Sequence, residues 1–171
     1  MSERTGAVTF KGNPLTLVGD AVSSGQSAPT FTLTANDLSD KSLDDYKGRV
    51  VVMATVPSLD TPVCDTEIRR FNEEAAGLGE DVSVLAVSMD LPFAQKRWCG
   101  AAGVERVETL SDYKDRSFGR NYGLFIKELG LLARAVIVID KQGRIAHHEL
   151  VKEVAEEPNY DAALSAAKAA L

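Results

Sequence analysis

The sequence lacks any long apolar run. Its strongest hydrophobic stretches, Val50–Ala54 and Ala135–Ile139, have only the length of a strand, whereas roughly 18 consecutive apolar residues are needed to cross a bilayer. No apolar segment follows the charges of the first ten residues, as it would in a secretory signal. We therefore expect no membrane partner and a cytoplasmic protein.

Positive charge is also scarce, with 19 lysines and arginines against 25 acidic residues and a net charge of −6. This sign repels phosphate backbones, so a nucleic-acid partner is not expected. The 171 residues are 44% hydrophobic, which is enough for one globular core. We expect a single domain over residues 1–171.

Signals for metals and cofactors are missing. There is no Walker A sequence, and Gly77–Gly79 follows a helical pattern without the third glycine of a dinucleotide fingerprint. The only histidines, His147 and His148, are adjacent on a predicted strand and point to opposite faces. They cannot both join two cysteines in one zinc site. We expect no cofactor and no metal.

The hydrophobic pattern alternates between strands and helices. Val8–Leu17 alternates around Lys11–Pro14, which predicts a hairpin extension within residues 1–20. The following pattern predicts strands at 50–56, 82–89, 107–110, 131–140 and 145–150, and helices at 62–78, 92–101, 116–122 and 160–171. This order predicts an α/β thioredoxin-like fold, with a central mixed sheet flanked by helices and an N-terminal β-hairpin extension.

Cys64 occupies an activating position at the start of a predicted helix. Thr61 can serve as N-cap and Pro62 as the first helical residue, so Cys64 lies in the first turn, where the helix dipole favours a thiolate. However, Cys64 also shares an apolar stripe with Ile68 and Phe71, which is typical of a thiol that only packs. Position alone leaves both interpretations open.

Thr61 and Arg134 are two polar candidates for the same site. The Thr61 hydroxyl lies three residues before Cys64 and can donate to the thiolate or to a substrate oxygen, or act only as a cap. Arg134 interrupts an apolar strand and needs water, a partner or an anion. It can extend to the surface, or it can stabilise the thiolate where strand ends converge beside the helix start.

The second cysteine, Cys99, lies 35 residues after Cys64 and says little by its spacing alone. Glu67 occupies the position that the second cysteine of a C-x-x-C pair would take. A thioredoxin-type disulfide reductase is therefore argued against.

Several segments share the pattern of a known family. Pro57–Cys64, PSLDTPVC, matches P-x-x-x-[T/S]-x-x-C, and Ser88–Ala94 with the later Cys99 matches a segment that carries a resolving cysteine. Asp115–Gly119 and the N-terminal hairpin extend the likeness to nearly the whole chain, and Arg134 falls at the position of an active-site arginine. The sequence thus resembles the thiol peroxidases, an atypical two-cysteine branch of the peroxiredoxins.

This resemblance implies a catalytic cycle. The Cys64 thiolate would reduce a hydroperoxide, with a leaning towards alkyl hydroperoxides, and become a sulfenic acid. Cys99 would condense with it, and thioredoxin would reduce the resulting intramolecular disulfide. Thr61 and Arg134 would stabilise charge on the leaving oxygen, and Pro57 would shape and shield the pocket. The resemblance also implies a homodimer.

Three other interpretations remain from the residues. The chain can be a peroxide-sensing switch that forms a disulfide without turnover. It can be a thioredoxin-like module whose thiols are inert until unfolding. It can also belong to a peroxiredoxin branch with a different resolving thiol.

Overall fold

Eleven strands and four α-helices make up a computed structural model that describes residues 1–171. The strands are β1 Glu3–Phe10, β2 Asn13–Val18, β3 Thr32–Thr34, β4 Asp40–Ser42, β5 Val50–Thr55, β6 Val82–Ser88, β7 Val107–Ser111, β8 Phe125–Ile126, β9 Leu131–Leu132, β10 Ala135–Ile139 and β11 Ile145–Leu150. The helices are α1 Pro62–Ala75, α2 Pro92–Ala102, α3 Ser117–Asn121 and α4 Tyr160–Ala169, and a 3₁₀ helix spans Leu43–Tyr46. None of these helices combines the length and apolar character that membrane crossing requires.

Seven strands form the central sheet in the order β11-β10-β5-β6-β7-β3-β4. The pairs β5–β6 and β6–β7 are parallel, while β10 runs antiparallel to both β5 and β11. The predicted antiparallel pair near the end of the chain is therefore present in a mixed sheet.

Each face of this sheet carries its own hydrophobic core, because β5 and β6 are covered on both sides. Val51 and Met53 enter one cluster of 24 buried residues with the hairpin and α3. Val50, Val52 and Ala54 enter the other cluster, of 19 buried residues, with α1 and α4. The alternation of neighbouring strand residues follows from the period of two in a strand. Cys64, in the first turn of α1, and Ala54, near the carboxyl end of β5, thus belong to the same buried cluster.

The hairpin belongs to a second, four-stranded sheet with the order β1-β2-β8-β9. Its turn consists of Lys11 and Gly12, both with positive φ, of 51° and 81°. This is the pattern of a type I′ turn, which suits the twist of a two-residue hairpin. Asn13 and Pro14 lie in β2, so the predicted turn of four residues was too long.

Two other predicted boundaries were wrong. Helix α1 ends at Ala75 instead of Leu78, because the glycines that flank Leu78 weaken the helix. The predicted strand 131–140 is divided: Leu132 pairs with Phe125 in the small sheet, and Ala135 pairs with Thr55 in the central sheet. The chain crosses between the sheets at this break. Arg134 therefore lies in the gap between two strands and not inside one.

Candidate active site

The thiol of Cys64 lies at the start of α1 and has no exposed surface. Pro62 begins the helix, so Cys64 is in its first turn. The Nη2 of Arg134 donates a hydrogen bond to Cys64 Sγ over 3.2 Å. The break between β9 and β10 thus places a permanent positive charge against the sulfur at a helix N-terminus.

Three separate bonds fix the guanidinium of Arg134, whose side chain is only 2% exposed. Besides the bond to Cys64, Nη1 donates to Glu67 Oε2 over 2.5 Å and Nε donates to the carbonyl oxygen of Val154 over 2.9 Å. The arginine does not extend to the surface. Its planar group is held by acceptors on three sides, which fixes the direction of the N–H bond that meets the sulfur.

Sequence reasoning missed Glu67 as a member of this site. It lies one helical turn after Cys64 and is fully buried. Its Oε1 has no hydrogen-bond partner. Burial raises the pKa of Glu67 to about 7, against the opposing pull of the Arg134 guanidinium. The spacing of three residues from Cys64 was the available signal, because such pairs share one helix face.

Thr61 precedes α1 as its N-cap residue, but its hydroxyl makes no capping bond. Instead, Oγ1 donates to the carbonyl oxygen of Ser58 over 3.0 Å. This corrects the interpretation of the hydroxyl as a side-chain cap, and its engaged proton is not donated to the sulfur or to a substrate oxygen, the other predicted roles. The lone pairs of Oγ1 remain available to accept a hydrogen bond.

Asp90 anchors the loop that leads into the site. Its carboxylate accepts bonds from Ser58 Oγ over 2.7 Å and from the Leu59 N–H over 2.8 Å. Asp90 lies between β6 and α2. A single carboxylate therefore fixes the segment that carries Pro57 and Thr61 to the neighbouring strand end.

A pocket of about 310 Å³ opens above Arg134. Pro57, Thr61 and Arg134 all line it, so the structure brings these predicted site residues together. The other lining residues are mostly apolar and come from α1, the region around β9, the loop before α4 and the hairpin turn: Pro62, Val63, Leu129, Leu131, Val154, Ala155, Phe10 and Lys11. The pocket thus combines the cationic residue Arg134 with mostly apolar walls.

Cys99 lies apart from this pocket. It is half-buried on α2, and its Sγ is 3.5 Å from Thr109 Oγ1, in a different surface pocket that Asn36 also lines. Burial raises the pKa of the Cys99 thiol. Both cysteines are free thiols, and Cys99 packs against the same core cluster that holds Cys64.

Comparison with known proteins identifies the fold and the family. The family described as redoxin matches residues 23–164. The chain belongs to the redoxin family. Within it, the chain is 56% identical to the thiol peroxidase of Bacillus subtilis over 162 residues, which are 95% of this chain and 96% of that protein.

Solved structures show the same fold. A peroxiredoxin-like protein from Aquifex aeolicus has 47% identity and a TM-score of 0.90, and the match covers 98% of each chain. A thiol peroxidase from Chromobacterium violaceum shares the fold with a TM-score of 0.82 at 20% identity over 91% of each chain. The predicted thioredoxin-like fold and the resemblance to the thiol peroxidases are thereby confirmed. This redoxin is an enzyme, a peroxidase of the peroxiredoxin type.

Proposed function

We propose that this peroxidase reduces hydroperoxides through the Cys64 thiolate, and that Arg134, Thr61 and Pro57 build the site that receives the substrate. The observation that carries the proposal is the bond from Arg134 Nη2 to Cys64 Sγ. Arg134 also lines the open pocket. One residue therefore connects the buried nucleophile with the pocket.

The first step is a displacement at oxygen. The Cys64 thiolate attacks the terminal oxygen of ROOH, the O–O bond breaks, and RO⁻ leaves and takes a proton to give ROH. Sulfur is oxidised to the sulfenic acid as the peroxide is reduced. Full ionisation of an ordinary thiol gains at most roughly 30-fold in rate, so the remaining acceleration comes from donors aimed at the developing charge.

Arg134 and Thr61 have separate roles in this step. The guanidinium N–H groups of Arg134 stabilise negative charge as it moves onto the leaving oxygen. The Thr61 hydroxyl donates to Ser58, so its oxygen accepts the O–H of the bound hydroperoxide. Pro57 is buried at the pocket, has no N–H that competes for the substrate oxygens, and shields the sulfur from water. The apolar walls favour an alkyl hydroperoxide over hydrogen peroxide.

Cys99 completes the cycle in this proposal. Its thiol condenses with the sulfenic acid, which forms the Cys64–Cys99 disulfide and releases water. A disulfide requires Cα atoms within about 7 Å and facing Cβ atoms. The two sulfurs have different neighbours in the reduced structure. We therefore expect the start of α1, or α2, to unwind during the reaction.

Thioredoxin is the proposed reductant, because a dithiol of this type exchanges with an exposed disulfide and restores both thiols. The homodimer and the cytoplasmic location implied by the resemblance belong to the same proposal. So does the assignment of residues 1–171 to one domain with the hairpin as an extension.

The test adds one equivalent of cumene hydroperoxide to fully reduced protein and maps the products by mass spectrometry. Wild type should lose two hydrogens and yield a Cys64–Cys99 peptide pair. Cys99→Ser should retain one oxygen on Cys64, and Cys64→Ser should not react. Oxidation of Cys99 at the wild-type rate in Cys64→Ser would refute the assignment.

Turnover with thioredoxin distinguishes this enzyme from a switch. Wild type should consume many equivalents of peroxide in the presence of thioredoxin, its reductase and NADPH. One equivalent consumed and no more would leave the disulfide as a signal and exclude thioredoxin as the reductant.

A further inference from the structure

The hairpin turn reaches the candidate active site from outside the region that matches the redoxin family. The redoxin match covers residues 23–164, whereas β1 and β2 lie within residues 3–18. Nevertheless Phe10, the last residue of β1, and Lys11, in the turn, line the same pocket as Arg134. One wall of the pocket is thus built by residues that precede the redoxin match.

The carboxylate of Glu153, a residue of intermediate exposure, holds this turn in place. Oε1 of Glu153 accepts bonds from Thr9 Oγ1 over 3.1 Å and from the Gly12 N–H over 2.9 Å. Its Oε2 accepts the Ala155 N–H over 2.9 Å, within its own loop. Lys11 keeps a φ of 51°, which a non-glycine residue rarely adopts. These bonds hold the turn in a conformation that the backbone alone would not favour.

The same loop joins the hairpin to the catalytic arginine. The Val154 N–H donates to the carbonyl oxygen of Thr9 over 2.8 Å. The Val154 carbonyl oxygen accepts the Nε–H of Arg134 over 2.9 Å. Thr9 and Arg134 therefore both bond to Val154, which fixes the distance between the hairpin turn and the guanidinium.

Phe10 is the large apolar residue that the hairpin contributes to the lining of the pocket. The residue lines the pocket and is 38% exposed. The Lys11 ammonium lies 5.5 Å from the centre of the ring. Contact with an apolar ligand removes the exposed part of an aromatic ring from water, which lowers the free energy of the complex.

We propose that Phe10 is a specificity-determining residue that packs against the organic group of a hydroperoxide, and that Glu153 is the positioning residue that holds it there. The inference rests on the proposed function of Cys64. It adds the residue that recognises the organic group of the substrate. Hydrogen peroxide has no organic group, so its reaction should not depend on Phe10. An aryl hydroperoxide such as cumene hydroperoxide should depend on it strongly.

The experiment measures the rate constant for oxidation of reduced Cys64, with cumene hydroperoxide and with hydrogen peroxide, by rapid quench and intact mass. In Phe10→Ala the ratio of the two rate constants should fall about tenfold, since a pocket that loses an apolar contact of this size discriminates by that order. Phe10→Leu should restore most of it. Phe93→Ala is the matched control, because Phe93 is a 67% exposed phenylalanine on α2 that does not line the pocket.

Glu153 is tested by two variants. Glu153→Ala removes the bonds to Thr9 and Gly12 and should lower the ratio in the same direction. Glu153→Gln keeps a side-chain oxygen that can accept both of these bonds and loses only the bond from the Ala155 N–H, so it should keep the ratio near wild type. Circular dichroism and a thermal melt confirm that each variant is folded before its rates are compared.

Each remaining outcome decides the question. An unchanged ratio in folded Phe10→Ala overturns the specificity proposal and leaves the peroxidase intact. An equal fall with both peroxides also overturns it, because the hairpin would then act on Arg134 and not on the organic group. A wild-type protein whose Cys64 reacts with neither peroxide overturns the proposed function itself.

Discussion

Trp98 donates its indole Nε1–H to Asp65 Oδ1 over 2.8 Å, and these two residues are the chain neighbours of Cys99 and Cys64. Arg69 strengthens the contact, since its Nε donates to Asp65 Oδ2 over 2.8 Å and its Nη1 donates to the Ala102 carbonyl over 3.2 Å. These bonds join α1 to α2 beside both thiols. We call the group of Asp65, Arg69 and Trp98 the clasp. We propose that this clasp opens when the Cys64–Cys99 disulfide of the proposed cycle forms.

Trp98→Phe should make disulfide formation faster. The substitution keeps an aromatic ring but removes the N–H that holds Asp65, so the helices separate more readily. At a large excess of peroxide, the sulfenic acid partitions between the disulfide and the sulfinic acid. The fraction of Cys64 found as sulfinic acid by mass spectrometry should therefore fall about threefold.

A matched control removes a polar contact of α1 that does not reach α2. Arg70 pairs with Glu74 over 3.4 Å on the same helix. Arg70→Gln should leave the sulfinic fraction unchanged. A fraction in Trp98→Phe equal to that of wild type would show that opening of the clasp does not limit resolution.

Arg134→Lys should slow the reaction of Cys64 with peroxide about 100-fold, the loss expected when an oriented donor is removed from a reacting oxygen. Lysine keeps the charge but cannot bond Cys64, Glu67 and the Val154 carbonyl at once. The measurement is the rate of Cys64 oxidation by one equivalent of peroxide. Arg144→Lys, at a surface arginine that bonds the Gly25 carbonyl, is the control. Wild-type rates in Arg134→Lys would remove the role given to the guanidinium.

Much of the fold could be predicted because its signals are local. The continuous apolar strands β5 and β6 and the helical stripe of Cys64, Ile68 and Phe71 lie where their periods indicate. The split at residues 133–134 could not be predicted, because an apolar run does not show which of two sheets each residue joins.

The same contrast between local sequence signals and tertiary contacts applies to the site. Cys64, Thr61 and Pro57 belong to one short motif, so the sequence shows them together. Glu67 was overlooked because a glutamate on a helix usually faces water, and only the buried contact with Arg134 gives it a role. Phe10 lies 54 positions before Cys64 in the chain. Only the tertiary structure brings it to the pocket.

Glu67 should make the stability of the reduced protein fall as the pH rises. Its folded pKa of about 7 exceeds its ordinary value of 4.5, so between these values the folded protein binds the proton more tightly than the unfolded chain does. The stabilisation is complete below about pH 4.5 and is lost as the pH rises through about 7. One such group gives a slope of at most about 1.4 kcal/mol per pH unit.

Urea unfolding of wild type and Glu67→Gln at pH 5, 6, 7 and 8 isolates this effect. Asp112 also has a pKa that burial raises, to about 6, but it contributes equally to both proteins. The difference between the two curves should therefore change by on the order of 2 kcal/mol across this range. Parallel curves would mean that Glu67 stays ionised in the fold throughout.

Gly19→Ala should destabilise the protein much more than Gly25→Ala, although the two glycines have nearly the same φ, of 98° and 94°. A methyl group at Gly19 would clash with the backbone carbonyl of Arg120, whereas at Gly25 it would meet nothing within 4 Å. Both variants carry the strain of a side chain at positive φ, about 1 kcal/mol. Only Gly19→Ala adds the cost of moving the base of the hairpin away from the α3 segment, roughly 2 kcal/mol more. Urea unfolding of both variants measures the difference, and equal losses of stability would show that the hairpin base is not packed against Arg120 in solution.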